Sequence, residues 1–138
     1  MAPPAIPVPI DPAAEAGRLA DLFNNLSQAL DDFRLGDHIP PIPTDQLARL
    51  KDEAQALEDR AHYFTAQAVG ATLQSIQSDL ANIKAVTAQA NAQVGVLNDV
   101  SKVISIATSA LSLGTAIAAG NPISIAAAAD ALAQTLAG

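Results

Sequence analysis

From Val103 to Ala129 the chain runs 27 residues without a charged side chain, and Gly120-Asn121-Pro122 folds the run back on itself. A stretch so poor in charge needs a partner surface of protein or lipid, and the turn makes it a helical hairpin rather than one continuous span. On a wheel of 100° per residue, Ser101, Ser105, Thr108, Ser109, Ser112 and Thr115 fall within about 120° of arc, opposite an apolar face. A solitary membrane span is apolar all round and about 20 residues long, whereas Val103 to Ala119 gives 17 residues with five hydroxyls. The hydroxyl stripe therefore lines water, sister helices, or the surface of a soluble hairpin.

On the apolar face, Ala110, Gly114 and Ala118 make a small-xxx-small row that lets another backbone approach closely. The return segment supplies alanines, with Ile125, Leu132 and Leu136 as larger knobs, and Asn121 and Pro122 supply its cap and first residue. These six residues are the expected close-packing set. In composition and layout, residues 101 to 137 resemble the membrane-insertion elements of α-helical pore-forming proteins, and that resemblance implies lipid bilayer as an alternative partner.

The rest of the chain reads as all-α. Residues 1–10 alternate proline with small or branched apolar residues, an extended proline-rich arm. Residues 11–138 then form one elongated domain. Asp11-Pro12 starts helix 11–35, whose Leu19, Leu22, Phe23, Leu26, Leu30 and Phe33 recur at helical spacing before Gly36. A stiff connector spans 36–44, with Thr44 as the next N-cap. From Asp45 to Ala119 there is no proline and only Gly70, Gly95 and Gly114 interrupt, which predicts one very long central helix of about 110 Å. Its weakest point is Asn91 to Asp99, where Gly95, Asn98 and Asp99 stand together as the one place able to make a break. A short return helix, 121–137, closes the chain.

The long helix carries apolar residues at alternating three- and four-residue steps, the spacing of a coiled coil. Helix 11–35 covers its beginning and 121–137 its end. That leaves Leu73, Ile76, Leu80, Ile83, Ala90, Val94, Leu97 and Ile104 as a seam for a second copy of the chain. The expected architecture is thus an elongated coiled-coil bundle, and the expected function is a non-catalytic, self-assembling structural or interaction protein.

Composition narrows the classes further. The net charge is −7, and the seven basic residues are scattered, which argues against a nucleic-acid surface and against attraction to anionic headgroups. Residues 1 to 63 hold 16 of the 21 charged side chains, so the two ends of the chain face different surroundings. No cysteine is present, which removes disulfides and thiolate metal sites. The first ten residues lack a positive n-region and an unbroken apolar core, so no cleavable signal is visible, and a soluble cytoplasmic location or a non-classical release route is expected. Asp59 and His62 stand at i, i+3, but a carboxylate-bridged metal site needs further ligands that the sequence does not offer. No phosphate loop, dinucleotide fingerprint or nucleophile elbow occurs, and the serines have no histidine nearby in sequence. No cofactor, small-molecule substrate or catalytic residue is expected.

Overall fold

Asp11 and Pro12 open the first helix as their chemistry dictates: the Asp11 carboxylate accepts the Ala13 and Ala14 N–H groups at 3.0 and 3.4 Å, and proline occupies the first helical position. In a computed structural model, residues 11–137 are described; the proline-rich arm 1–10 lies outside the described residues. Six helices follow in order: α1 (Pro12–Leu35), α2 (Thr44–Tyr63), α3 (Ala66–Ser75), α4 (Gln77–Val94), α5 (Val100–Ala119) and α6 (Pro122–Ala137). The all-α class holds for the described residues. The single long helix does not: the span 45–119 is divided among α2, α3, α4 and α5, and the longest helix is α1 with 24 residues.

The first break sits at Phe64 and Thr65. Phe64 leaves helical geometry with ψ 84°, and Thr65 is extended at φ −119°, ψ 160°. The Thr65 hydroxyl accepts the Ala68 N–H at 3.2 Å, restarting the chain as α3. Tyr63, Phe64 and Thr65 are all weak helix formers, because their side chains lose rotamer freedom against the preceding turn. Burial of Phe64 compensates the lost helical bonds, its ring meeting Phe23 of α1 edge-on at 5.1 Å and 76°.

The second break is at Ile76 (φ −111°, ψ 19°), where the Ser75 hydroxyl donates to the Thr72 carbonyl at 2.7 Å and competes with the helical ladder. The third falls at the weakest point of the span read as one helix: α4 ends at Val94, and the Asp99 carboxylate caps α5 by accepting the Ser101 and Lys102 N–H groups. Thr44 departs from expectation in a smaller way. It is the first residue of α2, and Pro43 precedes it without a side-chain cap bond.

These breaks fold the chain into a ring in which α1 packs on α2, α2 on α5, α5 on α6, α6 on α4, and α4 on α1. The short α3 lies at one end, where α1 begins and α5 ends: Gly70 faces Pro12, and Gly120 faces the Thr72 hydroxyl. Gly120 adopts φ +80°, a conformation that costs a residue with a Cβ about 1 kcal/mol or more, and its N–H closes α5 on the Ala116 and Ile117 carbonyls.

The core runs through all six helices, from Leu19, Phe23 and Leu26 to Leu73, Ile83, Ile106, Leu113 and Ile125. The expected intermolecular seam is inside it. Leu73, Ile76, Leu80, Ile83, Ala90, Val94 and Ile104 are buried and Leu97 packs against the same core, all within one chain. The argument that a second copy must cover these residues therefore fails, because the reversal at Phe64–Thr65 lays α3 and α4 back on α1, and α6 closes the other side.

One polar contact joins α1 to α4. Glu15, with its side chain one-tenth exposed, accepts from Lys84 Nζ at 2.8 Å and from Arg18 at 2.6 Å. The hydrogen bond from Lys84 holds the Glu15 carboxyl below its ordinary value of 4.5, against an opposing push from burial, with the charges of Lys84 and Arg18 helping.

Two outcomes follow from this architecture. Small-angle scattering on dilute monomer is expected to give a radius of gyration of about 14 Å, whereas a helix of about 110 Å requires roughly twice that. Because the folded Glu15 carboxyl titrates below its unfolded value, its stabilisation is complete above pH 4.5 and fades as pH falls through the lower, folded value. Glu15→Gln should therefore lower stability by about 1–3 kcal/mol at neutral pH. In thermal melts the gap from the unsubstituted protein should close as the pH drops below 4.5.

Candidate functional site

The uncharged run divides its faces between core and surface. In α5, Val103, Ile106, Ala107, Ala110, Leu113 and Ile117 are buried, while Ser101, Ser105, Thr108, Ser112 and Thr115 are exposed and Ser109 is half-buried. The stripe read from the wheel is thus the outer surface of α5. Ser105 and Ser112 donate back to the carbonyls four residues earlier, at 3.0 and 3.1 Å, which keeps them on the helix surface.

The close-packing set is placed less simply. Ile125, Leu132 and Leu136 are buried knobs on α6, and Ala118 is half-buried. Ala110 is buried, but the close approach permitted by Gly114 is not to the return helix. A Cβ on Gly114 would lie 3.1 Å from the Phe23 ring and 3.6 Å from Arg60, so the small residue admits α1 and α2 instead. The row was legible in sequence, and its partner was not.

Two grooves border the hydroxyl stripe. The first, about 580 Å³, lies between α2, α5 and α6, where Asp45, Gln46 and Arg49 face Ser101, Ser105, Thr108, Ser109 and Thr135. Its hydroxyl hydrogens are largely committed. Thr108 donates to Glu53 Oε1 at 2.9 Å, Thr135 donates to the Ala131 carbonyl at 2.9 Å, and Ser109 and Thr135 share a bond of 3.0 Å. Glu53 Oε1 also accepts from Arg49 Nε at 3.0 Å, while Glu53 Oε2 is buried with no partner among the described residues. The second groove, about 520 Å³, runs on the outer side between α5 and α6 and is mostly apolar, with Leu111, Ala116, Ala119 and Ala128 framed by Thr108, Ser112, Thr115 and Ser124.

The far end of α6 is held by two donors: Lys102 Nζ bonds the Thr135 carbonyl, and Gln93 Nε2 bonds the Leu136 carbonyl at 3.2 Å. A cation at a helix C-terminus meets the negative end of its dipole. At the other end, Asn121 Oδ1 caps α6 by accepting the Ile123 and Ser124 N–H groups.

Sequence reasoning missed Glu53, Arg49 and Thr135. A signal for Glu53 existed, since it stands three residues after Leu50 and four before Leu57, on the buried stripe of α2, with Arg49 one turn earlier. A carboxylate in that register asks for a hydrogen-bond donor from a packed neighbour. Asp59 accepts from Gln55 at 3.3 Å, and among the described residues no three His, Asp or Glu side chains converge as a metal site would require. Among the described helices, α5 is long and apolar enough to cross a membrane, with mean hydropathy 1.5, yet 44% of that stretch is buried inside the bundle.

No family model matches the chain, and neither a curated protein nor a solved structure shows significant similarity to it. Function must be argued from the surfaces themselves.

The Glu53 contact gives a direct check on this site. Thr108→Val keeps the shape and removes the donor, so it should cost about 1–3 kcal/mol in denaturant unfolding. Ser112→Ala, which loses only a bond to a carbonyl of its own helix, should stay within about 0.5 kcal/mol of the unsubstituted protein.

Proposed function

We propose that this chain is a non-catalytic interaction protein, a six-helix bundle that self-associates through the outer face of α5 and α6. The observation that carries the reading is the partition of charge over the surface. Lys102 and Asp130 are the only charged residues from Val100 to Ala137 and they cancel, so the whole net charge of −7 lies on the remainder of the chain. Two copies repel wherever acidic surfaces meet, and the α5–α6 face is where that repulsion is least.

The character of the face supports the same reading. Its exposed side chains are small alanines and hydroxyls, which lose little rotamer freedom on contact. Beside the outer groove, at the start of α6, Ile123 stands 82% exposed. A two-fold contact would seat Ile123 of each copy in the groove of the other, the self-complementary arrangement of a closed dimer. The non-catalytic part rests on Ser105, Thr108, Ser109, Ser112 and Thr135, whose hydroxyls bond carbonyls, a neighbouring hydroxyl and Glu53 rather than a histidine.

Sedimentation at tens of micromolar tests the proposal. The unsubstituted chain should run heavier than its 14.0 kDa monomer, and Ile123→Asp should return it to monomer with an unchanged helical spectrum. A protein that remains monomeric over this range overturns self-association.

A second reading has one observation in its favour, the length and hydropathy of α5 in an uncharged hairpin. In it, α5 and α6 leave the bundle and enter a bilayer after assembly. Flotation and dye release with neutral and anionic vesicles separate the two readings: leakage by the full chain favours insertion, and its absence rules insertion out for those lipids.

A further inference from the structure

Five large apolar side chains are exposed among the described residues, and three of them gather at the end of the bundle opposite α3. Leu35 is 72% exposed at the end of α1, Ile39 is fully exposed in the connector, and Val96 is 79% exposed in the turn after α4. Neighbours in sequence show that this exposure is selective, since Ile42, three residues beyond Ile39, is buried in the core. Exposed apolar residues scattered singly need no explanation, whereas three at one pole mark a contact surface.

The same pole is grooved. Clefts of about 440, 330 and 190 Å³ adjoin there, and His38 forms a wall of all three. The largest runs from the connector to the turn before α5, between Ile39, Pro40 and Asp99. Its neighbour lies between the ends of α1 and α4, where Leu35 and Val96 stand one residue from its walls. The support is stiff. His38 Nε2 bonds the Phe33 carbonyl at 2.5 Å with its ring stacked obliquely on Phe33 at 4.5 Å, and three prolines restrict the connector. The exposed isoleucine is therefore presented on a backbone that loses little freedom when something binds.

Charge decides what that something is. Asp32, Asp37 and Asp99 line the clefts against a single lining cation, Arg34, which already pairs with Asp31 at 3.1 Å. Asp32 and Asp37 have no ion-pair partner among the described residues. An acidic rim around apolar anchors repels anionic lipid and nucleic acid, and attracts a chain that carries Lys or Arg beside its own apolar residues. We propose that this pole docks a basic, amphipathic segment of a partner protein, its apolar side chains seated against Leu35, Ile39 and Val96 and its cations facing Asp32, Asp37 and Asp99. This surface is separate from the α5–α6 face, and either can fail without the other.

The test uses a fluorescent helical peptide of leucine and lysine, its leucine and glutamate counterpart, and the full chain. Anisotropy should show the lysine peptide binding and the glutamate peptide not binding. The double variant Ile39→Ser, Val96→Ser should weaken binding by about tenfold or more, while Tyr63→Ser, at the opposite end of the bundle and in neither surface, leaves it unchanged. Both sites of the double variant are exposed, so its melting temperature should be preserved, and a loss of binding then reports the surface. Absence of binding at about 100 μM, or equal binding by the double variant, overturns the proposal. Dissociation of a self-associated chain by the double variant, but not by Ile123→Asp, would also overturn it, because the pole would then be occupied by a second copy.

Discussion

The edge-on contact of Phe64 with Phe23 is the interaction on which the architecture depends. Without it, nothing offsets the helical hydrogen bonds surrendered at Phe64 and Thr65, and the apolar stripe would continue outward along a straight helix. With it, the chain turns, Thr65 restarts the backbone, and α3 and α4 lie back on α1. Phe23 serves twice, because its ring also lies against Gly114 of α5. One aromatic side chain on α1 thus fixes both the reversal of the chain and the closest approach of the uncharged hairpin.

That dependence explains how much of the molecule could be read in advance. The ends of α1 and α6 were legible because Asp11, Pro12, Asn121, Pro122 and Gly120 act on backbone groups within a few residues of themselves. At 95–99 the sequence marked the weakest point of the span for the same reason, although the span itself read as one helix. The break at 64–65 was not, since its cause lies about forty residues away in sequence, in a ring that buries Phe64. The alternating three- and four-residue spacing from Leu73 to Ile104 was read correctly as a face that must be covered. Such spacing reports burial and is silent on whose surface does the covering. The candidate site divides along the same line: the hydroxyl stripe follows from helical periodicity alone, whereas Glu53, Arg49 and Thr135 join it only through tertiary packing.

Folding also sorts the charge. Apart from Asp130, the acidic residues lie on the first four helices and their connections, and the clefts of one pole are lined by three aspartates beside exposed apolar side chains. The hairpin carries almost no charge. These two surfaces act over different distances, because screened Coulomb attraction reaches about 8–10 Å at moderate salt, while contact between small neutral side chains requires them to touch. A partner guided to the acidic pole and a copy settling on the neutral face would therefore respond oppositely to added salt, the first weakened and the second favoured by relief of repulsion.

The attachment of the hairpin bears on whether it can leave for a bilayer. Withdrawing the α5–α6 hairpin would strip its inner face of protein contacts and uncover the matching surfaces of α2 and α4. It would also strip Glu53 of the Thr108 hydroxyl and leave Arg49 as its one remaining partner. Lys102, bonded to the last turn of α6, would have to be carried toward the membrane interface with the hairpin or left behind. A bilayer would have to return the apolar burial and also solvate five outward hydroxyls, which alkyl chains do poorly without a sister helix. Assembly through the outer face asks for none of these losses, since that face is already exposed and the core beneath it stays closed.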